Sequence, residues 1–573
     1  MQFVWGLLYN WQSRQSNIQT LQGACRVEGC DNPFPRSRPW VVSEENGIFY
    51  HPSAQLGVDW GTGLSVLQLF PSLYSSDHSI KHVDHQHPHI YPGNLDFRRI
   101  CFVVHCHSFQ SWYRLRHIPG PFFARISYFW HVYAYALRGK SGPLYEDIHN
   151  RYANGGPFVV IAPKYVVTND PEVLRHVAAL RQRNPYTRDD WWKGGRFHPE
   201  YENLVCIIDN DEHDKLKAKT ASGYSGRETG SQFEPAIDEQ IAALTSLLRR
   251  KFLSSADTIR PVNISTLMRY FTLDVITRLG YGKSFGHLAE GEDVVGWVSG
   301  IDPALRYMSL ILDVPWLRSI LFSPLGLRLF GPKETDASGP GRVQGIIRRI
   351  VSERLDQHMQ GDMKAYNDMI GGFIRNGLTA REIEGEANLQ ILAGSDTSSN
   401  ALCSAIVHLA TTPHAYARFK RIVHDTVTSG AVSEDKPISF EQASKIPYLQ
   451  AIVWEALRMR FPVNYGNYKS VPPGGDTIMG VFLPGGTAIG HNSLALTRNA
   501  NIFGKDVHLF RPERFIEGGE EEGGCDAETA KARVRAIDVL FGGGRWTCSG
   551  KQIAMFELNK AIFEVSDITA RGE

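Results

Sequence analysis

One short segment near the end of the chain limits what the whole chain can fold into. Residues 541–550 read FGGGRWTCSG, a loop in which four glycines surround a single cysteine, Cys548. Glycine lets a backbone approach a flat partner closely and adopt φ values that other residues avoid. A helix is predicted at Lys551–Glu564, so Cys548 lies just before a helix N-terminus, where the dipole favours an anionic sulfur. The loop fits either a buried free cysteine or a thiolate that ligates something large and planar.

A pair of charged residues in the segment WEALRMRFP gives a second pattern. Glu455 and Arg458 are three residues apart on a predicted helix and can form an ion pair. Most such pairs are solvated and contribute less than about 1 kcal/mol. The apolar surroundings and the breaker Phe461–Pro462 indicate a buried helix instead. Arg514, in FRPERF at Phe510–Phe515, is then expected to complete a buried network.

A third pattern, AGSDTSS at Ala393–Ser399, interrupts the apolar helix predicted at Ala380–Thr411. Asp396 and Thr397 are poor helix-interior residues because their side chains compete for backbone hydrogen bonds. The pattern fits a kink in the helix, or an acid–alcohol pair that relays protons in a cavity.

Together these motifs resemble the cytochrome P-450 family over roughly residues 112–565. The corresponding family features are the oxygen-activation motif at Gly394–Thr397, the ExxR pair Glu455 and Arg458, the PERF-type segment at Phe510–Phe515, and the haem loop FxxGxxxCxG at Phe541, Gly544, Cys548 and Gly550. The sequence VPPGGDTI at Val471–Ile478 is similar to that of fungal members of the pisatin-demethylase-like and benzoate-hydroxylase-like kind.

The resemblance implies a haem-thiolate monooxygenase with haem b as its cofactor and Cys548 as the axial ligand of the iron. It implies that Asp396 and Thr397 deliver protons during the oxidation of a small hydrophobic compound by O2, in secondary metabolism. The sequence has no Rossmann-type glycine motif for a flavin or nicotinamide. Electrons are therefore expected from a separate NADPH-cytochrome P-450 reductase.

Other site residues follow from the resemblance. His213 and Lys217, in EHDKLK, are expected to bind haem propionates, although a surface charged helix is the other interpretation. Trp546 stands where the family usually has an arginine, and Arg545 lies one residue earlier. Either Arg545 or the indole N–H of Trp546 is expected to reach a propionate. Ala393 is expected above the haem, and residues 465–467 (Tyr465, Gly466 and Asn467) are either pocket wall or plain loop.

Two alternative functions remain open. The chain ends 25 residues after Cys548, where the family usually continues with a strand-rich segment. A haem-binding but catalytically impaired relative is therefore one alternative. A haem-thiolate isomerase or dehydratase is another, but it can dispense with the Asp396–Thr397 pair that is present here.

The pattern of the remaining chain predicts a mainly α fold with a minor β part, as a single large haem-binding domain at 112–573. Strands are predicted at Pro157–Asp170 and within Ser470–Gly490. Residues 1–111 differ: they lack sustained periodicity and are expected to form a poorly ordered extension. This extension holds a crowd of histidines and cysteines whose spacing fits no ordinary zinc motif but leaves zinc binding as a hypothesis: His78, His82, His85, His87, His89, Cys101, His105, Cys106 and His107.

Charge and hydropathy restrict the partners and the location. A net charge of +1 argues against nucleic acid, because phosphate binding needs clustered positive charge. The sequence contains no stretch of 18 or more apolar residues, so it predicts no transmembrane helix. Peripheral membrane association is therefore possible, at the endoplasmic reticulum if the natural N-terminus carries an anchor. Otherwise a cytoplasmic location is expected.

Overall fold

The computed structural model describes residues 108–570, together with Phe102 and Cys106, apart from gaps at 139–140, 181–184, 226–229, 256, 362–365, 434–435 and 519–523. All of these residues belong to one unit, Arg98–Glu573. The zinc hypothesis falls mainly on residues outside the described part of the chain. The predicted division into 1–111 and 112–573 stays a prediction for the same reason.

Helices dominate the described residues, as the sequence predicts. After a helical segment at 108–115, they are α1 Phe122–Ile126, α2 Phe129–Arg138, α3 Ser141–Tyr152, α4 Pro171–Ala178, α5 Asn210–Ser225, α6 Gly230–Leu247, α7 Ile264–Tyr281, α8 His287–Glu290, α9 Trp297–Asp313, α10 Pro315–Leu321, α11 Pro324–Phe330, α12 Gly339–Met359, α13 Met369–Arg375, α14 Ala380–Thr411, α15 Pro413–Thr428, α16 Phe440–Ser444, α17 Pro447–Met459, α18 Ser493–Thr497, α19 Ala500–Phe503, α20 Ala527–Asp538 and α21 Lys551–Ala570.

The minor β part is a mixed five-stranded sheet and a two-stranded hairpin. The strands are β1 Phe158–Val160, β2 Tyr165–Thr168, β3 Thr187–Arg188, β4 Tyr465–Ser470, β5 Asp476–Ile478, β6 Val481–Leu483 and β7 Ala488–Asn492. The large sheet has the order β1-β2-β7-β4-β3, in which only the β2–β7 pair is parallel. In the β5–β6 hairpin, Met479 and Gly480 both have positive φ, which matches the twist of a two-residue hairpin turn.

The helix α14 positions the site. It begins with a capping box, in which the Thr379 side chain accepts from the Glu382 N–H and Glu382 bonds back to Thr379. Its bounds agree with the sequence prediction, and it packs against α7, α12, α17 and α21. The helix predicted at Ser444–Arg460 begins instead at Pro447, since proline suits the first helical turn. The last helix, α21, continues beyond the predicted Glu564 to Ala570.

Among the described helices, none combines the length and apolarity needed to cross a bilayer.

Candidate haem site

A cavity of about 360 Å³ lies between α14, α21 and the loop at 541–550. Apolar side chains form much of its wall, while polar groups converge on it from several elements, the usual character of a site for a small molecule or cofactor. The apolar wall includes Leu174, Val177, Leu204, Val205, Ile276, Leu389, Ala401, Val463 and Ile489.

Cys548 is a free cysteine that lines this cavity. Cys548 is exposed to the cavity, but the protein atoms packed around its sulfur disfavour the thiolate and raise the pKa of the thiol above its ordinary value. The backbone N–H groups of Gly550 and Lys551, and the charge of Lys217, act in the opposite direction on that pKa without cancelling the effect of burial. The sequence favours an anionic sulfur beside the helix start, whereas in the structure burial outweighs the groups that lower the pKa of the thiol.

Glycine occurs at three positions of the loop for different structural reasons. Gly542 has φ +81°, and a Cβ there would lie 2.3 Å from the carbonyl oxygen of Trp546. Gly544 has φ +56°, and its Cβ would lie 2.2 Å from the carbonyl oxygen of Ala178, at the end of α4. Gly544 thus packs the loop against α4 rather than lining the cavity. Gly550 does line the cavity, and nothing lies within 4 Å of the position of its Cβ.

Phe541, also predicted in the haem loop, lines the cavity. Its ring meets Phe461 edge to face, with ring centroids 5.3 Å apart. Its carbonyl oxygen accepts from the Cys548 N–H at 2.7 Å, which closes the loop around the cysteine.

The predicted acid–alcohol pair is divided between two faces of α14. Thr397 lines the cavity with Ala393 and Gly394, and its hydroxyl donates to the carbonyl oxygen of Ala393 at 2.7 Å. Asp396 is not among the lining residues, and its Oδ1 lies 3.3 Å from Nε of Arg269 on α7. Burial raises the pKa of Asp396, while Arg269 acts to lower it. The helix continues through this segment without a break.

The predicted network around Glu455 is fully buried. Arg458 donates from Nε and Nη2 to the two carboxylate oxygens of Glu455, at 2.6 and 2.8 Å. Arg514 donates from Nε to Oε1 of the same carboxylate at 3.0 Å, and the Arg511 N–H donates to it at 2.8 Å. Other guanidinium donors bind backbone carbonyls, such as that of Val507, and Arg514 also donates from Nη1 to Oδ1 of Asp506 at 3.2 Å. The network thus joins α17 to the segment that precedes the cysteine loop.

Buried cations cluster at one part of the cavity wall. Arg188 on β3 and Lys469 on β4 both line it, and Lys469 lies 4.8 Å from the ring centroids of Trp192 and Trp546. Burial lowers the pKa of Arg188 to about 10. Burial and the neighbouring Arg188 lower the pKa of Lys469 well below its ordinary value, and Asp189 offsets this only in part. Neighbouring buried cations are costly unless an anion completes the site.

The residues predicted to hold propionates differ in their surroundings. His213 lines the cavity, and burial lowers its pKa to about 4. Lys217 also lines the cavity, and its Nζ donates to the carbonyl oxygens of residues 545 and 547 at 2.6 and 2.7 Å. Lys469 makes one such bond, to the carbonyl oxygen of Asn467 at 2.9 Å. Arg545 does not line the cavity, and its Nη1 lies 3.3 Å from Oδ2 of Asp214. Trp546 does line it, and its buried indole N–H has no partner among the described residues.

Sequence reasoning missed Arg188, Lys469 and His491 as cavity residues. Each is an isolated cationic or titratable residue within a short strand, a weak signal that no motif accompanies. Of the residues at 465–467, Asn467 lines the cavity, whereas Tyr465 and Gly466 do not. That segment is strand β4 rather than plain loop.

These residues fit a haem. The cavity has a thiol for the iron, and the unpartnered Trp546 indole N–H and the Arg188–Lys469 pair would hold the propionate carboxylates. An apolar wall suits the macrocycle.

If the cations hold propionates, we expect Lys469→Met to weaken haem retention by about thirtyfold or more, since truncating one partner of a buried charge pair costs at least about 2 kcal/mol. Haem loss to an acceptor protein would measure this. The haem-free variant should be at least as stable as the parent, because a buried cation has been removed. The exposed Lys445→Met serves as the control, and unchanged haem loss in Lys469→Met would contradict the assignment.

Comparisons with known proteins show the family to which the chain belongs. The family model described as Cytochrome P-450 matches residues 119–565. The chain is 40% identical over 456 residues to the cytochrome P-450 monooxygenase ABA1 of Pyricularia oryzae, covering 79% of this chain and 86% of the relative. It is 36% identical over 474 residues to the monooxygenase abl1 of Leptosphaeria maculans, covering 82% and 79%. It is 31% identical over 490 residues to pisatin demethylase of Fusarium vanettenii, covering 83% and 87%.

The family model spans both the cavity and the buried network, and the relatives match most of the chain. The chain therefore belongs to the cytochrome P-450 family, as a haem-dependent monooxygenase and an oxidoreductase.

Proposed function

We propose that this monooxygenase binds haem b through Cys548 and hydroxylates or otherwise oxidises a small hydrophobic compound in secondary-metabolite biosynthesis. As in its family, it requires O2 and a redox partner; we infer that this partner is NADPH-cytochrome P-450 reductase. The observation that carries the proposal is the free Cys548 that lines the cavity, where the Gly550 and Lys551 N–H groups act to lower the pKa of its thiol. The apolar wall supports the hydrophobic substrate, and the names of the fungal relatives support the metabolic setting.

The bound haem would supply oxygen activation. The chain's own residues orient and protect that chemistry. Cys548 would hold the iron, and the Gly550 and Lys551 N–H groups would stabilise negative charge on its sulfur. Thr397 would present its hydroxyl to the cavity, where it can accept or pass on a proton. Ala393 and Gly394 leave room beside it.

A carbon monoxide difference spectrum of the reduced protein tests the haem–sulfur bond. The expected result is an intense, red-shifted Soret band typical of thiolate ligation, followed by NADPH-dependent O2 consumption once the reductase is added. Thr397→Ala should keep the band but release more peroxide per NADPH. The band without substrate oxidation across a broad screen would favour a haem-binding protein that is catalytically impaired. No band would contradict the proposal.

We also propose peripheral association with a lipid bilayer. The proposed membrane-contact surface comprises six exposed apolar side chains, five of them aromatic: Phe109, Tyr113, Phe122, Phe123, Met479 and Phe482. The hairpin that carries the last two is joined to the N-terminal segment by hydrogen bonds from Arg114 to Gly485 and between His117 and Phe482. Exposed aromatic side chains beside arginines suit an anionic membrane surface.

We expect the substitutions Phe122→Ser, Phe123→Ser and Phe482→Ser together to reduce binding to phosphatidylcholine–phosphatidylserine vesicles at least tenfold, because they remove apolar area that would enter the interface. Vesicle co-sedimentation would measure it. Ile259→Ser with Met359→Ser removes exposed apolar side chains elsewhere and serves as the control. Equal binding by both variants and the parent would refute the assigned face.

A further inference from the structure

The cavity wall contains a buried acid that the proposed chemistry leaves unused. Glu557, on α21, lines the cavity and is only 1% exposed. Neither of its carboxyl oxygens has a hydrogen-bond partner among the described residues. A buried carboxylate without partners is strongly disfavoured relative to the neutral acid.

Ser398 is the polar residue that faces Glu557 across the wall. It lies on α14, next to Thr397, and also lines the cavity. Burial raises the pKa of Glu557 to about 8, and the nearby Ser398 hydroxyl acts to lower it, although the two side chains do not meet the geometry of a hydrogen bond. The acid and the alcohol thus lie on the two helices that enclose the cavity.

None of the charged groups on neighbouring elements is a cause of the raised pKa of Glu557. On α21 itself, Lys560 pairs with Glu234 and Asp238 of α6, and Glu564 accepts from the Ile438 N–H. On the elements packed against α21, the charged groups with partners of their own include Lys217 of α5, Asp396 and the buried Glu386 of α14, Arg418 of α15, Glu441 of α16, and Glu455 and Arg458 of α17.

The contrast with Asp396 is one of geometry. Asp396 lies outside the cavity lining and its Oδ1 is paired with Arg269, whereas Glu557 lines the cavity and neither of its oxygens has a hydrogen-bond partner among the described residues. An acid that serves a cavity needs a free oxygen on the cavity side.

We propose that Glu557, with Ser398 beside it, is the proton-holding acid of this cavity and exchanges its proton with the cavity contents. The step is a proton transfer: the carboxyl O–H bond breaks, a water molecule in the cavity takes the proton, and the carboxylate that remains is protonated again from water. Adding negative charge to the cavity strengthens the hold on the proton, and removing it weakens that hold. The link between Glu557 and haem reduction rests on the proposed haem site, but the protonation of Glu557 can be measured without haem.

Infrared titration of the full chain in heavy water tests the first part. The carbonyl stretch of a protonated, water-shielded carboxyl group should disappear with a midpoint near pH 8 in the parent, and this step should be missing in Glu557→Gln. Asp396→Asn should retain it. Glu564→Gln is the matched control on the same helix, because burial raises the pKa of Glu564 to about 7 and its removal should delete a separate, lower step. Retention of the step near pH 8 in Glu557→Gln would overturn the proposal.

The reduction potential of the haem-loaded protein tests the exchange with the cavity. Above pH 8 the parent's potential should fall by up to about 59 mV per pH unit, the value for one proton per electron. In Glu557→Gln the slope should be much smaller, while Glu564→Gln should behave as the parent. Equal slopes in all three proteins would mean that Glu557 is a buried acid without influence on the cavity. Failure to bind haem would instead contradict the proposed function and leave the infrared result intact.

Discussion

Replacing Cys548 by serine should abolish the red-shifted carbon monoxide band completely and reduce reductase-dependent O2 consumption to background. A serine hydroxyl is a far weaker donor to iron than a thiolate, so the electron density that favours O–O cleavage is lost. The sulfur lies in the cavity wall rather than in a packed core, so the substitution removes little buried apolar contact. The free energy of unfolding of the haem-free variant should therefore lie within about 1 kcal/mol of that of the parent.

The control for this prediction is a substitution at another free cysteine of the chain. Cys403→Ser, on α14, changes a partly buried thiol that does not line the cavity. It should retain the full band. A thiolate-type band in Cys548→Ser would refute the assigned ligand, and loss of the band in both variants would indicate a folding defect rather than a missing ligand.

Replacing Glu455 by alanine should lower the free energy of unfolding by about 3–5 kcal/mol, since it leaves Arg458 buried without a carboxylate and removes one of the two carboxylates paired with Arg514. A domain has only about 5–15 kcal/mol of total stability. We therefore expect most of the variant to be recovered unfolded or aggregated, with little haem bound. Denaturant unfolding of the soluble fraction would measure the loss.

Glu441→Ala provides a matched comparison. Glu441 also precedes a cation on the helical surface, Lys445, but both side chains are exposed. Such a pair contributes less than about 1 kcal/mol, so this variant should unfold like the parent. If Glu455→Ala and Glu441→Ala lose similar stability, the buried network is not essential for the fold.

Features that depend on local sequence could be predicted well. The bounds of α14 follow from the capping signal at Thr379 and Glu382 and the long apolar pattern after it. The pairing of Glu455 with Arg458 follows from helical spacing alone, and the position of Cys548 beside a helix start follows from its glycines. Each of these signals lies within a few residues of the feature it specifies.

Features that depend on distant parts of the chain could not be predicted in this way. Asp396 and Thr397 are adjacent in sequence, yet only Thr397 lines the cavity, because successive residues of a helix point in different directions. Likewise, the choice between Arg545 and Trp546 depends on where Asp214 lies, on another helix.

The sequence by itself therefore determined the family, the candidate haem ligand and the elements that carry the motifs, because these signals are local and mutually consistent. Only the tertiary structure showed that Arg188 and Lys469, far apart in the chain, meet at one wall, and that Glu557 lines the cavity with no hydrogen-bond partner in the described part of the chain. Charge and burial at these positions arise from the packing of β3, β4, α14 and α21. No residue's own sequence neighbourhood contains that information.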